Sequence, residues 1–221
     1  MRKKYILFLI IFIVLIGLSL GTIYGKNTEK KKLIYLDPGH GGMDGGAVDE
    51  SGQILEKKVV LDVAYTLKTI LEKLGYEVKL TRTTDQSIES SKKKDIYKRV
   101  DLINESKAIL YLSLHANSYP SKKVKGAQTF YSVLPDPKEN NQLLAVKIME
   151  KLRIIDSDNK RVAKEITNKY LLDHVKIPGC LIEVGFLSND EDLEKLTNHE
   201  YIFELSWMIT IGIEEYFKEV S

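Results

Sequence analysis

The sequence predicts an α/β domain built on a largely parallel or mixed sheet. Short apolar or alternating runs, the mark of buried strands, take turns along the chain with longer runs of helical period. Gly75 and Pro178 fall at the joints between such runs, and no internal repeat or low-complexity segment interrupts them.

From Leu33 onward, LIYLD reads as a short buried strand. LEKKVVLDVAYTLKTILEKLG is a helix that Gly75 stops. YEVKLT alternates as a half-buried strand, and DIYKRVDLINES is a helix. AILYLSL and GAQTFYSV read as strands, with the helix NNQLLAVKIMEKLR after them. GCLIEVGF is a strand following Pro178. Ser188 with Glu191 offers a helix start, and a last amphipathic helix runs from about Tyr201 to Lys218. In such sheets, ligands bind beyond the carboxyl ends of the strands. His40 follows LIYLD, His115 comes at the end of AILYLSL and Glu183 lies in CLIEV, three separate strands, so their convergence on one edge is expected.

The 221 residues, 43% hydrophobic, suffice for one core. A net charge of +2 gives no basic excess of the kind that nucleic acid requires. Runs such as Lys92-Lys93-Lys94 read as solvated surface, with contact to an anionic polymer as the alternative. Arg2, Lys3 and Lys4 precede the apolar run YILFLIIFIVLIGLSLG. Residues 1–25 are therefore expected to be a signal or membrane anchor, more in keeping with an uncleaved anchor, with the rest of the chain exported. Residues 26–32 read as a polar tether and residues 33–221 as the catalytic domain. No cysteine comes directly after the run, so the chain is not itself a lipoprotein, and the single Cys180 excludes an internal disulfide framework.

Glu56 opens a helix whose apolar stripe includes Val59, Val60, Val63 and Leu67. It shares their face. A carboxylate facing a core needs a partner or a metal; the plainer alternative is a charge that favours the helix dipole. His40 sits in LDPGHGGMDGG, where small neighbours leave room for a metal and a substrate. That stretch lacks the signature of a phosphate loop. Two histidines and one glutamate make a three-ligand zinc set with a fourth place for water. Glu183, in an apolar strand, is the carboxylate to move a proton; pairing with Arg82 or Arg99 is the alternative. His174 and His199 read as solvent-facing.

IYLDPGHGGMDGGA, LEKKVVLDVA, YEVKLTRTTD, KRVDLINE, LYLSLHANS, KGAQTFY and IPGCLIEVGFLSN occur in order across residues 34 to 189. Together they resemble the zinc-dependent N-acetylmuramoyl-L-alanine amidases. The resemblance implies a twisted mixed sheet flanked by helices on both faces. It matches His40, Glu56 and His115 to the family's Zn2+ ligands and Glu183 to its catalytic glutamate. It places Arg99 and Asn104 near the site. It implies hydrolysis of the amide between the lactyl group of muramic acid and L-alanine in peptidoglycan. Small size and the N-terminal segment are similar to the germination-specific amidases of spore formers, which points to spore cortex maturation or germination. A zinc peptidase or deacetylase, and a silent wall-binding protein, are the competing classes. Peptidoglycan is the expected partner, with room for an accessory lipoprotein or activator. The stretch between His115 and Gln142 is too short for the plugging helix of some family members, and Pro135 and Pro137 would stiffen a loop there. Asp37 and Asp44 are candidates to orient the imidazoles.

Overall fold

The computed structural model describes residues 31–134 and 138–220. The expected signal or anchor over residues 1–25 and the two loop prolines lie outside them. Among the described residues no helix is long and apolar enough to cross a membrane.

Lys32–Ser221 form one compact unit. Its strands are β1 (Leu33–Pro38), β2 (Glu77–Leu80), β3 (Ala108–Asn117), β4 (Gln128–Tyr131), β5 (Lys164–Glu165) and β6 (Gly179–Phe186). The helices are α1 (Glu56–Lys73), α2 (Lys92–Asn104), α3 (Lys138–Ile155), α4 (Tyr170–His174), α5 (Asp190–Leu196) and α6 (His199–Val220). The sheet order is β2-β1-β3-β6-β4-β5. Strands β2, β1, β3 and β6 run parallel, and β4 is antiparallel to β6. The expected mixed, largely parallel sheet is what forms.

Both sheet faces are covered, as near-continuous apolar strands require. On one face Ile34, Leu36, Leu112, Leu114 and Ile182 pack against Val60, Val63 and Leu67 of α1, Ile148 of α3 and Ile209 of α6. On the other, Tyr35, Tyr111 and Leu181 meet Val100 and Ile103 of α2 and Leu171 and Leu172 of α4. Period-2 alternation sends Asp37, Ser113 and His115 to this second face, near the carboxyl ends of their strands.

Local signals explain the boundaries. Gly75 takes φ 98° just beyond α1, a conformation that suits glycine. Ser91 caps α2 by accepting the Lys94 N–H. Near the end of the chain, Asn189 rather than Ser188 caps a separate helix, α5. The Ser188 hydroxyl instead accepts the Tyr119 N–H. The last helix begins at His199, two residues earlier than its apolar period suggests, because the Asn198 side chain accepts the N–H groups of Glu200 and Tyr201. Between Asn117 and Lys138 the described residues hold one strand and no helix.

Candidate active site

Three side chains from separate parts of the chain meet at the carboxyl edge of the sheet. His40 lies just past β1, Glu56 is the first residue of α1, and His115 lies near the end of β3. Their donor atoms all fall within 4.8 Å of one another. Glu56 Oε1 is 3.1 Å from His40 Nε2 and 2.9 Å from His115 Nδ1. The two rings stand nearly perpendicular, with centroids 5.0 Å apart. Two imidazoles and a carboxylate so placed suit a metal ion that keeps a coordination position open.

Glu56 is 4% exposed, so it does more than favour a helix dipole. Backbone groups fix both oxygens: Ala116 N–H donates to Oε1 at 3.0 Å and Ala47 N–H to Oε2 at 2.7 Å. Burial alone would raise its pKa, but the two imidazoles hold the carboxyl far below its ordinary value. Burial likewise disfavours a charged His40, yet Glu56 and Asp44 outweigh it and raise that imidazole. Asp44 Oδ2 lies 3.0 Å from His40 Nδ1, a charge contact not aligned as a hydrogen bond. Lys92 holds the other Asp44 oxygen at 2.8 Å.

The glycines of the loop are a steric requirement. A Cβ on Gly39 would come within 2.4 Å of the His115 ring. On Gly46 it would lie 2.5 Å from Glu56 Oε2 and 2.8 Å from His40 Cδ2, and that residue also takes φ 71°. His40 itself adopts φ 61°, a costly conformation for a residue with a Cβ. Two buried arginines grip the main chain around it. Arg99 donates to the carbonyls of Pro38 and His40, and Arg82 to those of Pro38 and Gly39. Arg82 also reaches the Lys57 carbonyl, which ties the loop to α1.

Asp37 does not orient an imidazole. It accepts hydrogen bonds from Arg99 Nη1 (2.8 Å), Thr81 Oγ1 (2.6 Å) and Ser113 Oγ (2.8 Å). Burial pushes its pKa up, but Arg99 and Thr81 win and hold it below the usual aspartate value. Arg99 is further paired with Asp95 at 2.6 Å. With Arg82 and Arg99 committed to this network, neither is the partner of Glu183.

Glu183 sits beside His115 in the register of β3 and β6, so the two side chains share a sheet face. Its Oε2 is buried and has no hydrogen-bond partner among the described residues. Burial first, with the nearby Glu56 charge adding to it and His115 opposing, pushes its pKa up to about 7. A carboxyl poised there can take up and release a proton near neutral pH.

Residue types and spacing did not reveal the arginine grip. Arg82 and Arg99 act on main-chain oxygens, and only the family resemblance placed Arg99 near the site. Asn104 is not in the site: it joins the end of α2 to the His174 carbonyl and the Lys176 N–H. His174 stacks on Tyr170 in α4, and neither it nor His199 joins the cluster. A cleft of about 290 Å³ leads from His40 and His115 past Met43 and Asp44 to Ser91 and Lys92 at the start of α2.

The N-acetylmuramoyl-L-alanine amidase profile matches residues 34–215, nearly the whole span of these elements. The chain belongs to that family. It is 39% identical to the germination-specific N-acetylmuramoyl-L-alanine amidase of Bacillus subtilis, over 99% of this chain and 98% of the relative. The CwlD amidase from Clostridioides difficile, solved in complex with the GerS lipoprotein, superimposes with a TM-score of 0.79 at 35% identity. That match covers 85% of this chain and 99% of the other. The catalytic domain of the amidase CwlV from Bacillus (Paenibacillus) polymyxa gives 0.73 at 28% identity over 85% and 98% of the two chains. This amidase is therefore an enzyme that cuts the bond between N-acetylmuramic acid and L-alanine, on the cell-wall side.

Proposed function

We propose that His40, Glu56 and His115 hold a zinc ion and that Glu183 carries the proton in this amidase. The reading is supported by one juxtaposition: a converging His-Glu-His donor set beside Glu183, whose buried Oε2 has no hydrogen-bond partner among the described residues. Zinc held by two imidazoles and a carboxylate polarises a carbonyl and lowers the pKa of water to about 7. Glu183 accepts the proton set free as water adds to the lactyl carbonyl carbon. It returns that proton to the alanine nitrogen, which otherwise leaves poorly as an amide anion. Backbone donors on both Glu56 oxygens keep that carboxylate aimed between the two imidazoles.

Incubation of the enzyme with purified peptidoglycan, after chelation and with zinc or magnesium restored, tests this. Zinc is expected to restore release of stem peptides with a free L-alanine amino terminus, leaving the glycan intact. Release only at peptide–peptide bonds, or equal rescue by magnesium, would overturn it.

The substrate pool we propose is spore peptidoglycan, in cortex maturation or germination. The support is the germination-specific Bacillus relative, which this chain matches over nearly its whole length. The proposed partner is an accessory lipoprotein, supported by the GerS complex of the Clostridioides relative. Residues 1–25 are proposed to anchor the enzyme outside the membrane, on the strength of their basic flank and apolar run. A deletion strain whose spores keep normal muramic lactam and germinate normally would remove the spore role while leaving the amidase.

A further inference from the structure

The end of the domain remote from the His-Glu-His cluster carries an apolar strip that the reaction does not use. Glu56 opens α1 and Leu74 comes just after its last turn, so the 18-residue helix separates the two by about 27 Å. Around Leu74 (48% exposed) stand Phe203 (55%) and Trp207 (40%). Two open clefts meet at Leu74 and Trp207. One, of about 450 Å³, runs to Phe203; the other, of about 390 Å³, runs to Tyr76, Ile211 and Lys218. Scattered exposed apolar residues are ordinary, but a contiguous strip rimmed by polar groups marks a surface that something covers.

The covalent chain indicates what covers it. Lys32 joins the domain beside the strip. Its carbonyl accepts the Glu77 N–H at 3.0 Å, and its ammonium lies 5.1 Å over the Phe217 ring. Phe217 stacks on Tyr76, which lines the second cleft. Residues 22–31 alone separate Lys32 from the apolar run that ends at Gly21. Ten residues span at most about 35 Å, so an anchor in that run keeps this end of the domain close to lipid. The chemistry agrees. Tryptophan favours the membrane–water boundary, and Lys31, Lys32, Lys73 and Lys218 suit anionic headgroups. Of the acids nearby, Glu214 accepts from the Tyr76 hydroxyl, Glu215 pairs with Lys151, Glu219 with Lys147 and Glu72 with Lys68, while Glu204, next to Phe203, is exposed.

We propose that Leu74, Phe203 and Trp207 rest on the headgroup layer of the membrane from which the chain is tethered, so that the catalytic cleft faces away from lipid, toward the wall. The proposal rests on the anchor reading of residues 1–25. Trp207 is the one tryptophan of the chain, so its emission reports on the strip alone. The full chain would be inserted in phosphatidylcholine–phosphatidylglycerol vesicles, with and without brominated acyl chains. The expected result is a blue shift and a loss of Trp207 emission in brominated lipid. Leu74→Glu combined with Phe203→Glu should abolish that loss, while stem release from soluble peptidoglycan fragments stays unchanged. Flotation with vesicles while Trp207 stays unquenched and open to iodide would overturn the proposal and leave the anchor standing. Failure to float would overturn both. Shielding of Trp207 that grows with protein concentration in the absence of lipid would give the strip to a second copy, and would overturn the proposal too.

Discussion

Asp37 and Glu183 both hold a buried carboxyl oxygen on the same face of one sheet, yet their surroundings drive them apart. Asp37, on β1, receives a guanidinium and two hydroxyls and is held ionised. Glu183, on β6, has a buried oxygen without a hydrogen-bond partner among the described residues, and burial pushes its pKa up to about 7. A fully satisfied carboxylate stabilises and positions the chain around it. An unsatisfied one costs stability and gains a proton that can move at neutral pH. The same residue chemistry thus serves architecture on one strand and is available for reaction on another.

Removing the reactive member should have the largest effect. Glu183→Gln is expected to lower stem release from peptidoglycan by about 10²–10⁴-fold while metal content is unchanged; near-normal turnover with bound zinc would remove the contrast. On the architectural side, Arg99→Met strands Asp37 without its cation and should destabilise the fold by about 3–5 kcal/mol in urea denaturation. A loss under about 1 kcal/mol would mean that Asp37 is not dependent on it.

Acid and base separate the two groups further. The native Asp37 pKa lies below its unfolded value, so its contribution is present above about pH 4 and is lost as pH falls toward the native value. Glu183 has the opposite sign. In metal-free enzyme its raised pKa favours the fold below about pH 4 and loses that advantage as pH rises through about 7. Metal-free Glu183→Gln should therefore gain stability relative to wild type by up to about 3 kcal/mol between pH 4 and pH 8. Chemical denaturation across that range checks it, and a flat difference would refute the raised pKa. Thr81→Val, which removes one hydrogen bond from Asp37, should cost the least, about 1 kcal/mol.

Much of this arrangement was legible in the sequence. The alternation of short apolar runs with amphipathic helices gave the sheet and its larger helices. His40 after one strand, His115 at the end of a second and Glu183 within a third pointed to one sheet edge before any contact was known. Glu56 stood out because its helical spacing put a charge on an apolar stripe. What stayed hidden was held by contacts between distant residues. Asp37 looks like a candidate to orient a histidine until Arg99, 62 residues away, takes its oxygen. Strand β5 is two residues long and α4 is five, too short for any period to register. The start of α5 depended on whether Ser188 or Asn189 offered its side chain to the next turn, a choice that the Tyr119 N–H settles by occupying the serine.

The arginine grip on the His40 loop acts through main-chain oxygens alone. Such a hold is indifferent to the side chains it encloses. The fully exposed Met43 at the loop tip can therefore be exchanged for other residues while His40 keeps its place. A lineage under pressure to suit a differently decorated glycan has, at that tip, a position to vary without disturbing the reactive machinery.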